Sequence, residues 1–230
     1  MPKKGSSKNA YIALVLIIIL VILGVGVIYV VQSLNKTSGI TAGVHVGDVF
    51  TYKLTGQSVL FSPDAVTPAY FTEYNNTDFY RVTITGVNGT IVSLDTVWSF
   101  LNGTQDTGSQ WINLTSGDTR DPEGFWALYS SNLNIGDTIH PKGTDNFIVN
   151  NTESEPYASG NRLTNYYAIQ NTYYDPSDPT QSTYMNDIIS LYFDRQTGIL
   201  TSLTNVQQYN NPSMNLIITW TLTNSTVWAV

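Results

Sequence analysis

Residues 79–100, FYRVTITGVNGTIVSLDTVWSF, carry the local pattern that decides the fold. In the first half Val82 and Ile84 alternate with polar side chains, which is the period of two expected for a strand buried on one face. Asn88-Gly89 then separates this run from a second one, residues 90–100. An Asn-Gly pair at this position favours a tight turn, because both residues tolerate a positive φ. The stretch therefore predicts a β-hairpin.

Similar strand-like runs recur along the rest of the chain, at residues 48–54, 110–114, 147–150, 161–174, 187–193, 199–209 and 214–223. In the last run one face carries only apolar side chains: Met214, Leu216, Ile218, Trp220 and Leu222. Short turns such as Asn102-Gly103 separate neighbouring runs, so sequential hairpins and an antiparallel meander are expected. The prediction is an all-β domain, either a curved sheet or incomplete barrel, or alternatively a β-sandwich.

Two kinds of segment interrupt the strands. Residues 123–131, EGFWALYSS, follow Asp121-Pro122 and predict one short helix. Residues 62–76 and 174–183 are rich in turn-forming residues and predict surface loops.

Residues 11–31, from Tyr11 to Val31, form an uncharged stretch of 21 residues, YIALVLIIILVILGVGVIYVV. A helix of that length spans the hydrocarbon layer of a bilayer, which is about 30 Å thick. The stretch is longer than the apolar region of most cleaved signals, so an uncleaved signal anchor is expected. Lysines at 3, 4 and 8 precede it, which predicts a cytoplasmic tail at 1–10, a linker at 32–44 and an extracytoplasmic domain at 45–230 in a cell-membrane protein.

The charge and the cysteine content of the chain limit the kinds of molecule that it can bind and the chemistry that it can carry out. From residue 37 onward the chain has six basic residues and all 17 acidic residues, a net charge of −11. Such a surface repels nucleic acid and anionic headgroups. The chain has no cysteine, which excludes disulfides, thiol nucleophiles and Cys-ligated zinc.

No pattern in the sequence indicates catalysis, and no cofactor or metal is expected. The two histidines, His45 and His140, lack metal-ligand spacing. The carboxylates cluster only in segments that resemble solvated turns: Asp118, Asp121 and Glu123, and Asp175 with Asp178.

Seven Asn-x-Ser/Thr sites are candidates for glycosylation if the domain is exported: Asn35, Asn75, Asn88, Asn102, Asn113, Asn150 and Asn224. Paired aromatic residues are candidates for a ligand groove: Tyr70, Phe71, Phe125, Trp126, Tyr166 and Tyr167. The alternative for these rings is the core of a β domain.

Several turn signatures together resemble archaeal single-pass, membrane-anchored β-rich proteins of uncharacterised function: Val46-Gly47-Asp48 with Tyr52, residues 132–137, Arg162 with Tyr166, and residues 192–200. The stretch YFDRQTGIL within the last of these is also similar to a hairpin of lipoprotein-carrier (LolA-like) lipid-binding proteins. That resemblance implies a curved antiparallel sheet over an apolar groove.

Three functions follow as hypotheses. The first is a non-catalytic binding protein for an apolar ligand, lipid or partner protein. The second is a structural cell-surface or type IV pilin-like subunit, since Lys3-Lys4-Gly5 resembles the processing signal of archaeal type IV pilin-like proteins. The third is an enzyme that acts on surface glycans.

Overall fold

The computed structural model describes residues 39–122 and 124–230, and Ile40–Val230 form one compact unit. Nine strands make up most of this unit: β1 (Val49–Leu60), β2 (Thr77–Asn88), β3 (Ile91–Phe100), β4 (Gln105–Asn113), β5 (Asn151–Tyr157), β6 (Gly160–Tyr174), β7 (Tyr184–Asp194), β8 (Leu200–Asn210) and β9 (Ser213–Ser225).

The predicted anchor, its basic tail and Asn35 lie outside the described residues. In the part that is described, no helix has the length and apolar character needed to cross a bilayer.

All nine strands belong to one antiparallel sheet, in the order β4-β3-β2-β1-β9-β8-β7-β6-β5. Two meanders, β1 to β4 and β5 to β9, join where the first strand pairs with the last, from Phe50 opposite Ser225 to Leu60 opposite Met214. The prediction of an all-β antiparallel domain is confirmed. The single sheet replaces the two packed sheets that the β-sandwich alternative requires.

The hairpin predicted from residues 79–100 is formed by β2 and β3. Asn88 pairs with Ile91, so the two-residue loop is Gly89-Thr90, one position later than the predicted turn. Only the first loop residue, Gly89, has a positive φ, of 59°. A glycine at that position suits the two-residue hairpin turns whose twist matches that of the strands.

The core lies on one face of the sheet, called here the interior face. On β1, Phe50, Tyr52 and Leu54 point to this face and are buried, while their neighbours along the strand are more exposed. The predicted alternation of β9 is also present, with Leu216 and Leu222 buried. Removal of these side chains from water is the main source of stability for such a sheet.

A long connection, residues 114–150, runs from β4 to β5, which are the two edge strands of the sheet. It adds many side chains to the same core cluster: Leu114, Phe125, Ala127, Leu128, Tyr129, Leu133, Ile139 and Val149. The long connection therefore covers part of the interior face. Without it, the apolar side chains on that part of the sheet would be exposed to water.

The helix predicted at residues 123–131 is wrong for the described residues 124–131, which are not helical. Their backbone groups bond to the start of β8 instead. The amide of Tyr129 donates to the carbonyl of Gly198 over 2.9 Å, and the amide of Leu200 donates to the carbonyl of Ala127 over 3.2 Å. These tertiary hydrogen bonds take the place of the bonds within a helix.

The edge strand β5 was not predicted, and the strand predicted at residues 147–150 makes only an isolated bridge, between Thr138 and Ile148. The sequence of β5, NTESEPY, is polar and includes Pro156, which discourages a strand assignment. An edge strand tolerates proline, because one side of the strand needs no ladder hydrogen bonds.

The predicted loop at residues 62–76 contains the only helical turns of the described residues, Ala69–Phe71 and Thr72–Asn75. Phe71 is buried and packs where Gly56 of β1 leaves room, since a Cβ at Gly56 would lie 2.9 Å from the Phe71 ring.

Two turns in different parts of the chain share a hydrogen bond from a backbone amide to an aspartate three residues later. In the first, the amide of His45 donates to the Asp48 carboxylate over 2.7 Å. In the second, the amide of Asn134 donates to the Asp137 carboxylate over 2.8 Å. In both, a glycine just before the aspartate has a positive φ, 94° at Gly47 and 87° in the second turn. Both turns contain the dipeptide Gly-Asp, so they share sequence as well as geometry.

Candidate binding cleft

A cleft of about 380 Å³ opens on the interior face beside the long connection. It is named here the aromatic cleft, and six rings line it: Tyr74, Tyr80, Trp98, Phe125, Trp126 and Trp220. Aliphatic and polar side chains of the strands complete the wall, chiefly Ile189, Leu203, Ile218, Asp187, Asn205 and Gln207. Its volume lies within the range of small-molecule sites.

Strand pairing brings three of the rings together. Tyr80 on β2 lies opposite Trp98 on β3, with ring centroids 6.1 Å apart. Trp220 is distant from Tyr80 in the sequence. Because β9 and β2 both flank β1, its ring nevertheless lies 4.8 Å from that of Tyr80. Both contacts are edge-to-face, the arrangement that aromatic quadrupoles favour.

A hydrogen bond and a ring contact hold Trp98 in place. The indole Nε1 of Trp98 donates to the Thr77 hydroxyl over 2.7 Å, and the Tyr74 ring packs 5.9 Å from the Trp98 ring. Burial raises the pKa of Tyr74 and of Tyr80. Both phenols therefore stay protonated through neutral pH, and neither places a negative charge in the cleft.

The long connection contributes the two remaining rings, Phe125 and Trp126. The side-chain amide of Gln110 on β4 donates to the carbonyl of Phe125. Gly124 lies against the same side chain, because a Cβ at Gly124 would overlap the Gln110 oxygen. A polar contact to a buried strand residue thus fixes the path of the chain into the cleft.

Three polar side chains of β7 and β8 form one end of the aromatic cleft, named here the polar end: Asp187, Asn205 and Gln207. Asn205 is buried, and its amide donates to one carboxylate oxygen of Asp187. Among the described residues that line the cleft, none is a lysine, arginine or histidine. The charge of Asp187 is therefore not balanced within this wall.

Of the six rings predicted for a groove, the structure brings Phe125 and Trp126 into the aromatic cleft. Sequence reasoning missed the rings that the strands supply. Trp220 carried a usable signal, because it shares the apolar face of β9 with Ile218, which also lines the cleft.

The other four predicted rings lie elsewhere. Phe71 and Tyr167 are buried in the core, each with 1% exposure. Tyr70 is 53% exposed, and Tyr166 is half-buried with its ring 4.8 Å from that of Tyr192. These four rings therefore form no common groove with Phe125 and Trp126.

The histidines have separate carboxylate neighbours. His140 is buried and its Nδ1 lies 2.8 Å from an Asp145 oxygen, whereas the exposed His45 lies 3.8 Å from Asp48. In residues 39–122 and 124–230, no three His, Cys, Asp or Glu side chains are grouped as metal ligands would be.

The candidate acidic turns behave as local caps where they are described. Asp178 accepts hydrogen bonds from Thr180, Ser182 and Thr183, which lower the pKa of its carboxyl. Asp118 accepts a hydrogen bond of 2.6 Å from Ser116.

Five of the predicted glycosylation sites are exposed: Asn75, Asn88, Asn102, Asn150 and Asn224. Asn113 is half-buried, and its side chain accepts hydrogen bonds from Thr115. The amide of Asn75 also donates to the backbone carbonyl of Gly56, over 2.7 Å.

Comparisons with protein-family models, with curated proteins and with solved structures found no match to this chain. Function is therefore inferred from the chemistry of the aromatic cleft.

Proposed function

We propose that this chain is a membrane-anchored, extracytoplasmic binding protein, and that it takes up an apolar small molecule or lipid tail in the aromatic cleft without chemical conversion. The observation that carries the proposal is the concave wall of six rings with only a few polar groups. Apolar, concave surfaces with a few orienting polar groups are typical of small-ligand sites.

The sheet architecture is compatible with this role. Its two edge strands, β4 and β5, are not paired with each other, and the long connection that joins them packs on the interior face. We propose that the sheet curves around that face as an incomplete barrel, because twisted sheets of many strands coil rather than stay flat. The uncovered part of the interior would then be the ligand groove.

The membrane part of the proposal rests on the sequence. Residues 11–31 are long and apolar enough to anchor the protein, and the preceding lysines favour an outward-facing domain. Protease added to sealed vesicles of the native membrane would test this orientation. Digestion of residues 45–230 from the outer side agrees with it, whereas protection of these residues contradicts it.

Binding can be tested by isothermal titration calorimetry on the full chain in lipid nanodiscs, with protein-free nanodiscs as the reference for partitioning. The probe is 1-octanol, which is apolar and uncharged. Saturable heat above the reference supports the proposal, and the absence of such heat both for 1-octanol and for octylammonium, which has the same alkyl chain, contradicts it.

Adjacent residues of β7 offer a matched pair of variants. Ile189 lines the aromatic cleft, whereas Ile188 is also half-buried but points to the opposite face of the sheet. Ile189→Trp fills the cleft and should abolish octanol binding, while Ile188→Trp should leave it within about twofold of the wild type, because that side chain lies on the opposite face of the sheet. Trp220→Ala serves as a second cleft variant if Ile189→Trp unfolds the domain, and equal binding by all variants would contradict the proposal.

A further inference from the structure

The aromatic cleft has two chemically different ends, and the strand register sets the distance between them. On β7, Leu191 pairs with Leu203 of β8, which pairs in turn with Trp220 of β9. Asp187 lies four residues before Leu191 on β7. At about 3.4 Å per residue and 4.8 Å per strand, the polar end lies about 14 Å along the strands and about 10 Å across them from Trp220.

The polar end carries a charge that no basic side chain of the described residues neutralises. The hydrogen bond from Asn205 occupies one oxygen of Asp187, and no described side chain donates to the other. Among the described residues no basic side chain pairs with Asp187. The free oxygen of this half-buried carboxylate can therefore accept a charge-assisted hydrogen bond from a cation that enters the cleft.

A ligand can supply the missing charge. An ammonium group donates hydrogen bonds to a carboxylate, and such charge-assisted bonds are shorter and stronger than neutral ones. The rings at the other end offer apolar surface, and the negative faces of aromatic rings add no penalty for a cation. The net charge of −11 from residue 37 onward also favours the approach of cations.

We infer that the ligand of the aromatic cleft is an amphiphile with an ammonium head group, which binds at Asp187, and an apolar body that extends toward Trp220. This inference rests on the proposed function and specifies its ligand class. A carboxylate or phosphate ligand would meet like charge at Asp187, and an uncharged ligand would leave that charge unpaired.

Three probes with the same chain and different head groups test the inference: octylammonium, 1-octanol and octanoate. Their affinities are measured by the same calorimetry on the full chain in nanodiscs of uncharged lipid. Octylammonium should bind about tenfold or more tightly than 1-octanol, because a charge-assisted hydrogen bond to Asp187 is stronger than a neutral one. Octanoate should bind more weakly than 1-octanol.

Asp187→Asn removes the charge while it keeps the shape and an acceptor for Asn205. In this variant octylammonium and 1-octanol should bind with affinities equal within about twofold, as expected once the charge-assisted bond is lost. Asp64→Asn is the matched control, since Asp64 is exposed and does not line the cleft. It changes the net charge equally and should preserve the preference for octylammonium.

The two proposals fail in different ways. Equal affinities of the three probes for the wild type, or a preference that survives Asp187→Asn, overturn the ammonium inference while binding in the cleft stands. If octylammonium and 1-octanol both fail to bind the wild type, or bind Ile189→Trp as well as the wild type, the cleft is not the binding site and both proposals fall.

Discussion

Arg162 donates two hydrogen bonds to the carboxylate of Asp194, of 2.7 Å from Nε and 2.9 Å from Nη2, and the Asp194 side chain is fully buried. The guanidinium also lies 4.2 Å from the centroid of the Trp228 ring. On its other side, Asp194 accepts hydrogen bonds from the amide and hydroxyl of Thr197. The pair thus joins β6, the turn after β7 and the C-terminal segment.

Loss of Arg162 should destabilise the domain strongly. Arg162→Met keeps the apolar stem of the side chain but leaves the Asp194 charge buried, which costs about 3–5 kcal/mol in comparable pairs. The free energy of unfolding, from denaturant titration followed by tryptophan fluorescence, measures the loss. Arg81→Met is the control, because Arg81 is exposed and its guanidinium packs on the Phe79 ring. A loss for Arg162→Met as small as that of the control, below about 1 kcal/mol, would show that the pair is not critical.

Gly198 should not tolerate any side chain. Its φ is 75°, and a Cβ there would overlap the carbonyl oxygen of Tyr129 in the long connection. Gly198→Ala should therefore cost more than about 3 kcal/mol, because backbone strain adds to the loss of packing by the long connection. Gly103→Ala isolates the strain, since Gly103 has a φ of 83° but open space around it, and it should cost about 1–2 kcal/mol. Thermal unfolding of the two variants checks the difference, and equal costs would mean that Tyr129 can move aside.

The contrast between the β2–β3 hairpin and residues 124–131 shows which parts of the fold were predictable. The hairpin is encoded locally, by alternation in each strand and a glycine in the loop. The path of residues 124–131 is decided by Gly198 and Leu200, which are distant in the sequence. A helix forecast from local propensity fails where such tertiary hydrogen bonds compete.

The aromatic cleft was predictable to the extent that its residues lie next to each other in the chain. Phe125 and Trp126 are adjacent and were candidates on that ground. Trp220 meets Tyr80 only because β1 pairs with both β9 and β2. No local pattern specifies the pairing of the first strand with the last, so Tyr80 and Trp98 could not be assigned to the same site as Trp220.

The two similar turns should contribute similar stability. Asp48 and Asp137 each accept a hydrogen bond from a backbone amide three residues earlier. Asp48→Ala and Asp137→Ala should each lower the free energy of unfolding by about 1–3 kcal/mol, as expected for a hydrogen bond to a charged group. Asp64→Ala, at an exposed position, should change it by less than about 0.5 kcal/mol. A difference of more than about 2 kcal/mol between the two turn variants in denaturant titrations would contradict their equivalence.

High pH should unfold the domain through its buried tyrosines. Tyr129 and Tyr167 are buried, and the Tyr167 hydroxyl donates to that of Tyr129 over 2.9 Å. Burial raises the pKa of both phenols above the ordinary value of 10. The folded state therefore holds these protons more tightly than the unfolded state, so their contribution is complete below about pH 10 and is lost as the pH rises toward the folded-state pKa. Each such tyrosine adds a slope of about 1.4 kcal/mol per pH unit to the loss of stability above pH 10.

The double variant Tyr129→Phe/Tyr167→Phe removes both phenols and should flatten the dependence of stability on pH in that range. Stability is measured by denaturant titrations at successive pH values, and tyrosinate absorbance is followed in parallel. A wild-type profile that matches the double variant above pH 10 would mean that these phenols ionise without unfolding.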